Sequence, residues 1–230
     1  MSTESKKTTN LKFVVLGYDP GGVGKSEVGN NGAAIITMEQ GVVISTKVGS
    51  LKSVDETFNW FKENIGDEIE VKAAGIDTLL SWSTGVQGLR RMDQHLREKY
   101  PEVRQSIIAS NGLYGAMVVQ GMSMAIRLRE KWNQLILNET HPKVQYYAQA
   151  EKPYKFEGEI IKWLRGQINC ADFPQKCNEH EWDALYSAWT TLRAIQNRST
   201  PDLLDITNSR ASPSMLYPVG SVHYYWPSWK

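Results

Sequence analysis

Residues 13–22 read Phe-Val-Val-Leu-Gly-Tyr-Asp-Pro-Gly-Gly. Four consecutive apolar residues running into Gly17, Pro20 and two further glycines are the pattern of a buried strand stopped by a turn cluster. Asp19 closes that strand. Working outward, 33–38 and 42–48 are two more apolar strands, and the short Glu39-Gln40-Gly41 link between them suits a hairpin. Over 54–65 the apolar residues Val54, Phe58, Phe61 and Ile65 fall at helical spacing. Residues 71–76 form a fourth strand that ends at Asp77, and 134–137 form a fifth, ending in Asn138-Glu139-Thr140-His141-Pro142. Helices are expected at 89–100, 113–132, 144–150, 157–168 and 179–195, before a tail rich in Pro, Ser and aromatic residues. A meander followed by alternating strands and helices predicts an α/β fold, a mixed sheet with helices on its faces.

The 230 residues carry 26 basic and 25 acidic side chains, a net charge of +1, so no global positive field argues for a nucleic-acid partner. With 41% hydrophobic and 22% charged residues the chain is globular in composition. Its longest fairly apolar run, 113–126, is interrupted by Gly115, Gln120, Gly121 and Ser123, which excludes a membrane span there. The opening MSTESKKTTN lacks the apolar core of a secretory signal and is read as a flexible lead over 1–10. Residues 11–230 then form a single domain with a C-terminal aromatic tail. Two cysteines are too few for a disulfide scaffold, and a reducing cytoplasm is the expected compartment.

Gly17 to Ser26, GYDPGGVGKS, ends like a phosphate-binding loop. Counting back from Gly24, however, the first glycine of that motif falls on Asp19, whose carboxylate would repel the phosphate the loop exists to hold. A nucleotide hydrolase using Lys25 is therefore a third reading only. Cys170, Cys177 and His180 do not match a short zinc signature. Met117, Met122 and Met124 lie in a helix where core filling is the simpler account.

The acids carry the chemistry. Asp19, Asp77 and Glu139 each follow a strand, and side chains at the carboxyl ends of neighbouring parallel strands converge on one crevice. Acids brought together there raise one another's pKa unless a cation neutralises them, and Mg²⁺ or Mn²⁺ is the hard divalent ion such oxygen ligands suit. His180 and Asp183 are three apart near the start of a helix, so they are neighbours on one side of it. Taken singly, each acid also has a structural explanation, as a turn residue after a strand or an acid at a helix start.

The pieces VVLGYDPGG, AAGIDTLL, GLRRMDQHLR, LILNETHPKV and HEWDALYSAWTTLRA, in that order over 13–195, resemble the ribonuclease-H-like superfamily. Within it they are most similar to a family of uncharacterised predicted nucleases whose active-site arrangement is like that of Holliday-junction resolvases. The resemblance implies a ribonuclease-H-like α/β fold, a five-stranded mixed sheet with helices on both faces. It also implies a divalent-metal-dependent nuclease that hydrolyses phosphodiester bonds of DNA or RNA by a two-metal mechanism. Asp19, Asp77, Glu139 and Asp183 would be the metal ligands, and His180 would coordinate or assist proton transfer. Asp19 and Asp183 would hold one ion, Asp19 with Asp77 or Glu139 the other. His141 reads as a turn residue before proline. After GID the family usually has a proline-containing turn, whereas Thr78-Leu79-Leu80-Ser81-Trp82 follows here.

Lys25, Arg90, Arg91 and Arg97 are the expected contacts to backbone phosphates, with a solvated helix face as the ordinary alternative for the arginines. Tyr224, Tyr225, Trp226 and Trp229 could stack on bases, but burial against the sheet, a protein partner or a second copy of the chain is the preferred reading. The main alternative to a nuclease is a non-catalytic binding or assembly subunit of the same fold.

Overall fold

A computed structural model describes residues 12–21, 29–85, 88–108, 115–197 and 200–226. The lead over 1–10, Lys25 and Trp229 lie outside the described residues. Five strands form one sheet: β1 (Lys12–Pro20), β2 (Asn31–Glu39), β3 (Val42–Leu51), β4 (Glu70–Ile76) and β6 (Ile136–Glu139). Their spatial order is β3-β2-β1-β4-β6. β2 runs antiparallel to both β1 and β3, whereas β1, β4 and β6 are mutually parallel. The α/β class and the five-stranded mixed sheet expected from the sequence are therefore present.

The alternation of β1 explains its central place. Val14, Leu16 and Tyr18 face one core, while Phe13 and Val15 face another. The first core is closed by α1 (Val54–Asn64), α2 (Arg91–Lys99) and α3 (Gly115–Lys131), through Phe61, Met92, Leu96, Met124 and Leu128. The second is closed by α5 (Gly158–Ile168) and α6 (Glu179–Gln196), through Ile160, Leu164, Trp182, Leu185 and Trp189. A sheet covered on both faces needs apolar residues at successive positions, which is why β1 reads as a continuous run. α4 (Pro142–Ala150) follows β6 directly, with Pro142 at its first position, where a missing N–H costs nothing.

Two differences from the sequence reading matter for the site. β1 does not stop at Gly17 but continues through Tyr18, Asp19 and Pro20, paired with β2 along its whole length. β6 covers 136–139 rather than 134–137, so Glu139 is its last residue and pairs with Ile76.

The segment from 82 onward adds structure that periodicity did not reveal. β5 (Trp82–Ser83) pairs antiparallel with β7 (Met215–Leu216) in a separate two-stranded sheet. The short α7 (Leu203–Ile206) is capped by Asp202, whose carboxylate also accepts from the Tyr224 N–H and from Arg210. The aromatic tail folds back on its own chain: the His223 N–H donates to the Leu137 carbonyl, and the Glu139 N–H donates to the His223 carbonyl. Tyr224 and Trp226 are buried in the first core, so their rings are not surfaces on which a partner or a base can rest. Among the described residues, no helix is long and apolar enough to cross a membrane.

Candidate functional site

Strand register places the first two acids. Tyr18 pairs with Ile76 across the parallel β1–β4 ladder, so Asp19 and Asp77, each one residue on, stand side by side at the carboxyl ends of neighbouring strands. The Asp77 N–H donates to the Tyr18 carbonyl at 2.9 Å, which extends the ladder by one bond and fixes the first residue of the following turn.

The third acid comes from α6. Asn178 and Glu181 form a reciprocal capping box, and Ser50 at the end of β3 bonds to both, tying the helix start to the sheet. α6 then lies unusually close to the strands. A Cβ placed on Gly17 would collide with the Ala184 carbonyl, and one on Gly75 with the Ser187 carbonyl. Only glycine permits that approach. Thr140 and Asn138 on the β6 side bond to Ser187 and Thr191 of the helix, both at 2.8 Å. The small and polar residues of α6, Ser187 and Thr190 among them, are thus buried against the sheet rather than solvated.

This packing brings the first turns of α6 over the strand ends. His180 Nδ1 lies 2.6 Å from Asp19 Oδ2, and Asp183 Oδ1 accepts from the Tyr154 hydroxyl at 3.3 Å. Asp19 and Asp183 are only 3% and 4% exposed. Burial raises the pKa of Asp19, against the pull of its bond to His180. Asp77 stands well above the ordinary carboxylate range, first through burial and then through the charge of Asp19. Asp183 is raised for the same reason, by burial and by the charges of both Asp19 and Asp77. The bond to Asp19 in turn raises the pKa of His180.

A cation the sequence did not single out balances this cluster. Lys143, on the first turn of α4, is 3.2 Å from Glu179 and lies over the Tyr154 ring. Burial works against its charge, but Asp183 and Glu179 hold its pKa above the ordinary value. Nothing in the local pattern PKV marks this lysine. Only the fold sets the start of α4 beside the start of α6. Tyr154 is likewise placed by a cluster of rings, Tyr146 and Trp182 being its neighbours.

Glu139 is in a different environment. Paired with Ile76 rather than Asp77, it shares the face of Ile76, opposite to that of α6. A shift of one residue changes the face to which a strand side chain points. Its two oxygens accept from Arg90 Nη2 at 2.5 Å and Nη1 at 2.8 Å, and Oε2 also accepts from the Leu80 N–H. Arg90 is 1% exposed and also engages Asp93 and Ser81, so every N–H of its guanidinium is occupied inside the protein. Burial opposes that charge, but Asp93 and Glu139 more than offset it. Arg90 thus has no donor left for a phosphate, a placement the run Arg90-Arg91 could not reveal.

Arg97 donates to the Ile107 carbonyl and Arg91 is exposed. His141, a turn residue as expected, is the N-terminal flank of α4; burial lowers its pKa to about 4. The Thr78–Trp82 turn, where the family pattern is departed from, is clamped by Glu139 and Arg90 through Leu80 and Ser81. A cavity of about 660 Å³ opens at the other end of β1 near Phe13, Glu70 and Trp132, away from the acid cluster.

The donor types fit a hard divalent cation, because Asp19, Asp77 and Asp183 are carboxylates that destabilise one another's charge. Their oxygens are not drawn onto one point: among the described residues, no group of three or more His, Cys, Asp or Glu side chains forms a ready-made ion cage.

No family model matches the chain, and no curated protein is similar to it. A solved structure of RuvC from Thermus thermophilus matches with 13% identity and a TM-score of 0.44, over 80% of this chain and 96% of that one. The strand order, with its single antiparallel inner strand and helices on both faces, makes the fold a five-stranded mixed α/β sheet.

Proposed function

We propose that the chain is a divalent-metal-dependent nuclease that hydrolyses phosphodiester bonds of DNA or RNA at the cluster formed by Asp19, Asp77 and Asp183. The observation that supports it is the gathering of two buried acids, Asp19 of β1 and Asp183 of α6, with the half-buried Asp77 just after β4, each raised by burial and also by the charge of a neighbouring acid. A fold that gathers such groups is less stable for it even with Lys143 beside them, since Asp77 and Asp183 stay well above the ordinary carboxylate range, and structural needs alone do not require it.

Asp19, Asp77 and Asp183 would hold Mg²⁺ or Mn²⁺. When bound, such ions neutralise the phosphate and lower the pKa of a water. Asp19 is central because it neighbours both Asp77 and, through His180, the start of α6. His180, oriented by Asp19 through Nδ1 and part-exposed, would move a proton at its other ring nitrogen, Nε2. Lys143, beside Glu179 and Asp183, would supply positive charge to the phosphate. Glu139 and Arg90 belong to the support of the Asp77 turn in this reading, not to the ligand set. Arg91, exposed on α2, and Lys25 keep the proposed role of phosphate contacts.

The test is cleavage of labelled single-stranded and duplex DNA and RNA with Mn²⁺, by wild type, Asp19→Asn and His180→Ala. Asp19→Asn should abolish cleavage, and His180→Ala should lower it by about 100-fold or more. Nucleic-acid binding without cleavage in wild type, unchanged by chelator or by Asp19→Asn, would favour the non-catalytic binding subunit.

A further inference from the structure

We infer that the cavity beside Asp77 is a pocket for one nucleobase, taken from the strand whose phosphate reaches the acid cluster. This rests on the nuclease reading above and names the recognition that the acids themselves cannot provide. The cavity measures about 220 Å³. That is below the roughly 300–1,000 Å³ of pockets for drug-sized ligands and close to the liquid share of about seven waters. It has room for a single flat ring system.

The lining selects the same class of ligand. Leu79, Ile108 and Met117 supply apolar surface, Thr78 and His141 supply polar groups, and Lys143 stands where the cavity meets the cluster. A phosphate or sugar alone would leave the three apolar side chains without a partner. An aliphatic chain would leave the remaining acceptor position of the Thr78 hydroxyl, which donates to the Met117 carbonyl, unmatched at a cost. A ring with two apolar faces and a polar edge satisfies both, and a polarisable thioether such as that of Met117 packs well against an aromatic ring. Lys143 then holds the adjoining phosphate by a charge-assisted bond. Extruding a base from a duplex costs a few kcal/mol, so nucleotides that are already unpaired enter most readily.

The pocket is tested on the full chain labelled at its methionine methyl groups, without metal. Nucleoside 5′-monophosphates should shift the Met117 resonance saturably, whereas ribose 5-phosphate should not. Assignment follows from Met117→Leu. Leu79→Trp fills the space and should abolish the shift while the other methionine signals report an intact fold. In cleavage assays, an abasic site at one fixed position beside the cut should lower kcat/KM about tenfold in wild type. Leu79→Trp should be insensitive to it. Equal shifts with ribose 5-phosphate, or none with any nucleotide at millimolar concentration, overturn the pocket whatever the cleavage assay shows. A base-dependent shift in a protein that cuts neither DNA nor RNA supports the pocket and overturns the nuclease reading instead.

Discussion

Arg90 and Arg91 are adjacent and chemically identical, yet one is interior and the other at the surface. The difference comes from where α2 begins. Arg90 is its N-cap, and its guanidinium turns inward to bridge Asp93 on the first turn with Glu139 at the end of β6. Removing one partner of such a buried pair leaves a charge with neither water nor counter-ion, which typically costs about 3–5 kcal/mol. Arg90→Met should therefore lower unfolding stability in urea by about that amount. Adding Glu139→Gln to Arg90→Met should recover part of it, because the stranded carboxylate is then removed. If instead both single variants were as stable as wild type, the bridge would not be what holds the Thr78–Trp82 turn beside the site.

At the level of elements, the decisive contact is α6 on β1 and β4. The sequence showed a helix over 179–195 and acids at the strand ends, so the element order and the neighbourhood of Asp19 and Asp77 were legible, whereas the place of Asp183 beside them followed from the family resemblance. Gly17 was read only as a strand breaker, because one sequence cannot tell a turn glycine from one that admits a helix. The face of Glu139 was illegible for a related reason. The apolar run at 134–137 does not show that pairing with β4 starts two residues later, and alternation turns any such slip into a question of face. The glycine contact is directly testable. Gly17→Ala forces its new methyl into the backbone of Ala184, which cannot rotate away. Overpacking of this kind costs about 1–3 kcal/mol. Since α6 must move off β1 to relieve it, the bond between His180 and Asp19 should be lost as well. The imidazole pKa, followed by NMR, should fall toward its ordinary value. A variant that lost stability but kept the raised His180 pKa would show that the helix does not set the site.

Across the whole molecule the acid cluster links stability to pH and to metal. Asp19, Asp77 and Asp183 bind protons more tightly when folded than when unfolded, and His180 does the same. For groups with raised folded-state values, the stabilising contribution is complete below the unfolded pKa and is lost as pH rises through the folded one. Unfolded carboxylates titrate near pH ~4, so the metal-free protein should lose stability as pH rises from about 4 toward 8. Asp202, held low by its bonds to His223 and to backbone N–H groups despite its burial, works in the opposite sense and only in the acid range. Asp77→Asn removes one of the raised acids and should flatten the fall. It should also raise the metal-free Tm near pH 8 by about 2–4 °C for each kcal/mol gained in a chain of this size. Mn²⁺ binds the deprotonated cluster, so its stabilising effect should grow over the same interval. At 100 times its dissociation constant it contributes about 2.7 kcal/mol, roughly 5–10 °C in Tm. Differential scanning calorimetry at pH 5 and pH 8, with and without Mn²⁺, should show a small gain at the lower pH and the larger one at the higher. A gain that is the same at both pH values, or that persists in Asp19→Asn, would mean that the ion binds elsewhere on the protein.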